Sequence, residues 1–286
     1  MLPYKTENYT IYNIKLNRNL LFWVTPGVAI AAIGAIASSP AQAGTLSFSG
    51  GMLEFENFSH SSYSTGVLSQ TNTLAIAGEG SSVNAMSQAT ANFWNLPNWA
   101  PLANLASSSL VLGQGSDYLG KARSQAHILG NFSIGESESF SFDFNAFLTL
   151  GLLVEEKYET AKAKGTVSFG LFDTTKSDQV SLLDSVTLSG KLSPSPGDSN
   201  FINYQSFGQI QATDSSYTAF DSKQKFAQQL VSGSLQRYFE NPTHLTLVAF
   251  SINEAEVQVP EPTATFALFL VGIGFCVKNK QKKVHN

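Results

Sequence analysis

Cysteine is nearly absent from this chain. The only one, Cys276, lies ten residues from the C-terminus. The body before it has no disulfide, no thiol nucleophile and no cysteine-based metal site. Histidine is scarce too: His60, His127 and His244 in the body and His285 at the end, none in HExxH spacing. A zinc site would need distant strands to bring these histidines together, so they read as strand-face or surface residues. No GxSxG elbow and no DxDxDG calcium loop occurs, although scattered carbonyls and carboxylates that bind calcium escape a sequence scan. Charged residues make up only 13% of the chain. Gly115 to Ala122 (GSDYLGKA) misses the phosphate-binding loop by one residue, because the magnesium-ligating Ser or Thr is replaced by Ala122. Its glycines are better read as turn formers. No catalytic residue, metal ligand or cofactor site is assigned, and the chain is read as a non-enzyme.

Both ends carry long uncharged runs. At the front, Lys15 and Arg18 precede 18 uncharged residues, 20–37, followed by Ser-Ser-Pro-Ala41-Gln-Ala43. Basic, apolar and small-residue segments in that order make a secretory leader, with cleavage after Ala43 and Gly44 as the first mature residue. At the back, Val-Pro260-Glu261-Pro262 leads into 14 uncharged residues, 264–277, closed by Lys278, Lys280, Lys282 and Lys283. An apolar run closed by lysines is a membrane segment held on the cytoplasmic side. Fourteen helical residues rise about 21 Å, short of a hydrocarbon core of about 30 Å, which suits a temporary anchor.

The VPEP string, the apolar stretch with Gly272 and Gly274, and the basic end together resemble a PEP-CTERM sorting domain. The family's basic end is usually arginine-rich; lysine here keeps the same charge. The resemblance covers 259–285 and implies a Gram-negative exported protein, whose tail is recognised and cut near Pro260-Glu261-Pro262 by exosortase. It also implies association with exopolysaccharide and biofilm matrix. Three segments are therefore expected: a signal peptide over 1–43, a body over 44–258 and a sorting signal over 259–286. Signal peptidase and exosortase are the expected processing partners, with transient contact with the inner membrane. The destination is the cell envelope, cell surface or extracellular space.

Three of the 17 basic residues precede Gly44 and four follow Val259, leaving ten against 19 acidic residues in 44–259. A body with net charge −9 argues against binding a phosphate backbone, so no nucleic-acid partner is expected. Short alternating apolar and polar runs recur at 45–49, 52–58, 72–77, 83–93, 137–150, 165–172, 182–188 and 244–259, the pattern of half-buried strands. The clearest is SESFSFDFNAFLTL, with Phe140, Phe142 and Phe144 on one face. Asp221 before a Lys/Gln/Ala/Leu-rich stretch predicts a short helix over 221–231. Residues 155–164 read as a second helix or as a charged hairpin. The fold class is all-β, an antiparallel sandwich with jelly-roll-like connections, one short helix, and helical targeting segments at both ends.

Two features bear on binding or chemistry. Phe93-Trp94-Asn95-Leu96-Pro97-Asn98-Trp99 puts two tryptophans in a Pro/Asn segment, either as sugar-stacking platforms or as plugs at the end of the sandwich. Glu54/Glu56 and Glu136/Glu138 are carboxylate pairs two apart, a geometry common to any solvated strand face. The body is read as a structural or adhesive module. A carbohydrate-binding module using Trp94 and Trp99 is the first alternative, and a secreted glycan-active hydrolase the second.

Overall fold

Polar residues and phenylalanine alternate from Ser139 to Phe144, and this sorts one polar and one aromatic face along a strand at the centre of a sheet. The computed structural model describes residues 44–95, 101–156, 158–194 and 198–259. They form twelve strands: β1 (Gly44–Glu56), β2 (Ser64–Ala77), β3 (Ser82–Trp94), β4 (Leu102–Gln114), β5 (Tyr118–Ile134) and β6 (Glu138–Leu153), then β7 (Thr160–Asp173), β8 (Ser181–Leu192), β9 (Phe201–Phe207), β10 (Ile210–Phe220), β11 (Gln224–Phe239) and β12 (Thr243–Val259). Two six-stranded antiparallel sheets result, in the orders β10-β11-β6-β1-β4-β3 and β2-β5-β12-β7-β8-β9. Their inner faces meet, with β1 over β7 and β12, β4 over β5 and β12, and β6 over β7 and β8.

The described residues contain no helix. The helix expected over 221–231 is instead the turn after β10 and the first half of β11. Asp221 closes that turn, its N–H donating to the Gln224 carbonyl at 2.8 Å. β11 buries Ala227, Gln229, Val231 and Leu235 on one side and pairs with β6 and β10 on its two edges. Those two ladders outweigh the helix propensity of its Lys, Gln and Ala residues. Residues 155–164 likewise turn into β7, which is the hairpin alternative. The expected helical leader and tail lie outside the described residues.

Phenylalanines fill one end of the core. Phe58 stacks between Phe93 and Phe132, with ring centroids 5.8 and 5.4 Å away. Phe55, Phe142, Phe144 and Phe169 continue edge-to-face at 4.9 to 5.7 Å. Each such pair adds about 0.5–1.5 kcal/mol beyond area burial.

The middle of the core is polar. Ser47 and Ser49 on β1, Ser107 and Ser109 on β4, Ser124 on β5, and Ser251 and Asn253 on β12 are all buried there. Asn253 Nδ2 donates to Ser107 Oγ at 2.6 Å, and Ser49 Oγ lies 2.5 Å from Asn253 Oδ1. Ser109 Oγ donates to the Asn253 carbonyl at 2.9 Å and meets Ser124 Oγ at 3.0 Å. Hydroxyls and one amide thus satisfy one another inside the layer, as buried polar groups must. The sheets come close here: a Cβ on Gly165 would lie 2.5 Å from Leu148 Cδ1 and 2.8 Å from Ser49 Oγ.

Candidate functional site

The polar seam anchors a charged trough on the far side of the second sheet. Ser47 Oγ donates to the carbonyl of Lys162, and Ser49 Oγ lies 2.8 Å from the carbonyl oxygen of Lys164. Side chains alternate across a strand, so both lysines project from β7 to the outer face. On neighbouring β12, Glu254 stands opposite Lys164 and Glu256 opposite Lys162. On β12's other side, Glu254 faces Arg123 and Glu256 faces Lys121, both on β5. Lys191 on β8 stands opposite Lys164. These side chains, with Asn72 and Leu74 of β2, line a cavity of about 490 Å³.

Pairing within the trough is uneven. Arg123 meets Glu254 at 2.9 Å and Lys121 meets Glu256 at 3.3 Å. Lys191 meets Asp198 at 3.7 Å. The Asp198 carboxyl is held below its usual range, first by a hydrogen bond from Ser193 and then by the charges of Lys191 and Lys162. Lys162 and Lys164 form no ion pair among the described residues. Five of the ten basic residues of 44–259 therefore line one trough with two carboxylates, and a third carboxylate, Asp198, pairs with one of them. Of these groups only Lys121 lies in a motif weighed from the sequence, the Gly115–Ala122 string, read there as a turn rather than a phosphate loop.

Those residues chosen from the sequence that the structure describes lie elsewhere and do not converge. Trp94 ends β3 on the outer face of the first sheet, opposite Leu102 in register and 37% exposed. Phe93 beside it points inward onto Phe58 and Phe132. Trp99 is outside the described residues, as are Ala41, Ala43, Pro260, Glu261, Pro262 and the lysines 278, 280, 282 and 283. Gly44 opens β1, and its N–H donates to Glu155 Oε2 at 3.2 Å.

Gly115 takes a φ of +104° in the turn between β4 and β5, but no helix follows as a phosphate loop requires. Gly120, read as a turn former, lies within β5. The histidines stay apart. His127 packs on Phe250 and His244 on Tyr63, with centroids 6.1 and 6.4 Å apart. His60 lies 3.1 Å from Glu138, a partner 78 residues away in sequence. Glu138 also accepts the Gly135 N–H at 2.8 Å, and that bond first, then His60, holds its carboxyl below the usual range.

Glu136 sits in the turn before β6, so it does not share a strand face with Glu138. Glu54 and Glu56 do share the outer face of β1. Burial, and then the Glu56 charge, pushes the Glu54 carboxyl up. No cluster of three or more His, Cys, Asp or Glu positioned for a metal ion occurs among the described residues. No helix among them is long and apolar enough to cross a membrane.

No protein-family model, curated protein or solved structure matches the chain.

Proposed function

We propose that this is an exported protein of the cell envelope or extracellular matrix, sorted by exosortase, with a non-enzymatic structural or adhesive body. The body is a β-sandwich with jelly-roll-like connections; seven of its eleven strand connections pass from one sheet to the other. What supports the reading is the order of signals along the sequence: Ala41-x-Ala43 precedes the twelve described strands and Pro260-Glu261-Pro262 follows them. Removal at either signal leaves those strands whole. After cleavage, the new Gly44 ammonium would face the Glu155 carboxylate that already accepts its N–H.

The test is the intact mass of protein recovered from the native host. The expected species lacks everything before Gly44 and most residues after Pro262. An unprocessed mass overturns the reading.

A carbohydrate-binding role is the second reading, supported by the exposed ring of Trp94 at the rim of the first sheet. A polysaccharide pull-down lost in Trp94→Ala and Trp99→Ala variants would support it, and an unchanged pull-down would refute it.

A further inference from the structure

We propose that the trough on β5, β12, β7 and β8 binds an acidic polysaccharide, taking sugar carboxylates on Lys162, Lys164 and Lys191 and sugar hydroxyls on Glu254 and Glu256. This deepens the exported reading, on which it rests, by naming a ligand class for the body. A ladder of cross-strand ion pairs would explain Lys121, Arg123 and the two glutamates, since facing opposite charges stabilise a sheet. It leaves Lys162 and Lys164 unexplained, because each stands opposite a glutamate already held by β5. Their exposed ammonium groups form no ion pair among the described residues, although the charge of Lys162 also reaches Asp198, and Ser47 and Ser49 hold their backbone from within.

The carboxylates along β12 decide which polyanion fits. Ionised Glu254 and Glu256 only accept hydrogen bonds. A polyphosphate or DNA backbone offers them negative charge and no donor. A uronate polymer offers hydroxyl donors to the glutamates and carboxylates to the lysines on each side. Successive lysines on β7 stand about 7 Å apart, and Lys191 is one strand spacing, about 5 Å, from Lys164. Spaced charge of this kind suits carboxylates carried on successive sugar rings. Among the described residues no aromatic ring lines the trough, so they offer none of the stacking platform that single-stranded nucleic acids use.

The experiment uses protein from the native host and immobilised polygalacturonate, with dextran and inorganic polyphosphate as comparison polymers. Wild type should bind polygalacturonate, with affinity falling as salt rises, and should bind dextran and polyphosphate more weakly. The Lys162→Gln/Lys164→Gln variant should bind polygalacturonate at least about tenfold more weakly, with an unchanged Tm. Soluble oligogalacturonate should compete on the wild type, a readout that needs no variant to fold. Lack of binding, an unchanged affinity in the variant, or polyphosphate binding as tight as polygalacturonate overturns the proposal. Intact mass on the same sample separates the two readings: an unprocessed protein that still binds sinks the export reading alone, and a processed one that does not bind sinks the trough alone.

Discussion

Arg237 on β11 crosses between the sheets to Asp184 on β8, with Nε 2.9 Å from Oδ2 and Nη2 3.1 Å from Oδ1. Asp184 is fully buried and also accepts the Gln209 N–H at 2.5 Å, which ties the β9–β10 turn to the same carboxylate. Removing one member of a buried pair strands the other charge. Arg237 keeps 21% of its side chain exposed, so Asp184→Asn should destabilise in urea denaturation by less than the roughly 3–5 kcal/mol of a fully buried pair. Replacing both partners with apolar residues should recover much of that loss, read as a coupling energy in a double-mutant cycle.

Glu54 should make stability depend on pH in the direction opposite to an ordinary ion-paired carboxylate. Its folded pKa is raised, so the folded state holds the proton more tightly than the unfolded chain. Stability from this group is present below the ordinary glutamate value of about 4.3. It is lost as pH rises through that value and on through the raised one. Glu54→Gln should melt higher than wild type at neutral pH, and the difference should shrink in thermal melts on acidification.

Tyr118 lies under β1, its hydroxyl donating to Thr45 Oγ1 at 2.7 Å. Burial pushes its pKa up to about 12. Folded-state stability is therefore lost as pH climbs above the ordinary tyrosine value of about 10 and through the raised one. In an ultraviolet titration Tyr118 should ionise last, together with unfolding. Tyr118→Phe should remove that step and cost about 0.5–1.5 kcal/mol at neutral pH.

Gly165 and Gly66 should respond differently to the same added methyl. At Gly165 it meets Leu148 and Ser49 within 2.8 Å, and overpacking of this kind costs about 1–3 kcal/mol. At Gly66 the nearest atom is Leu129 Cβ at 3.7 Å, an ordinary contact, so Gly66→Ala should be close to neutral. Denaturant midpoints of the two alanine variants check this.

Strands whose inner faces are aromatic or aliphatic were legible in the sequence. β6 and β12 announce themselves by period two, and the runs 45–49 and 52–58 merge into a single β1 that ends at Glu56, where Asn57 turns to a φ of 56°. β4 did not stand out, because it turns Ser107 and Ser109 inward and Leu110 and Leu112 outward, which inverts the usual code. β5 was obscured in the same way by Gly120, Ala122 and Ser124 on its buried side. β11 was misread because its composition favours helix and its two ladders are invisible locally. The trough was illegible for a different reason. Lys121/Arg123, Lys162/Lys164 and Glu254/Glu256 each look like one solvated strand face. Only the order β5-β12-β7-β8 lays them side by side.

The serine and asparagine seam also bears on how stability varies with temperature. Exposing apolar surface raises the heat capacity of unfolding, and exposing polar surface lowers it. A core whose middle is hydroxyl and amide unfolds with a smaller heat-capacity increment than an all-aliphatic core of equal size. At equal peak stability its curve is correspondingly flatter, and the span between cold and heat unfolding wider.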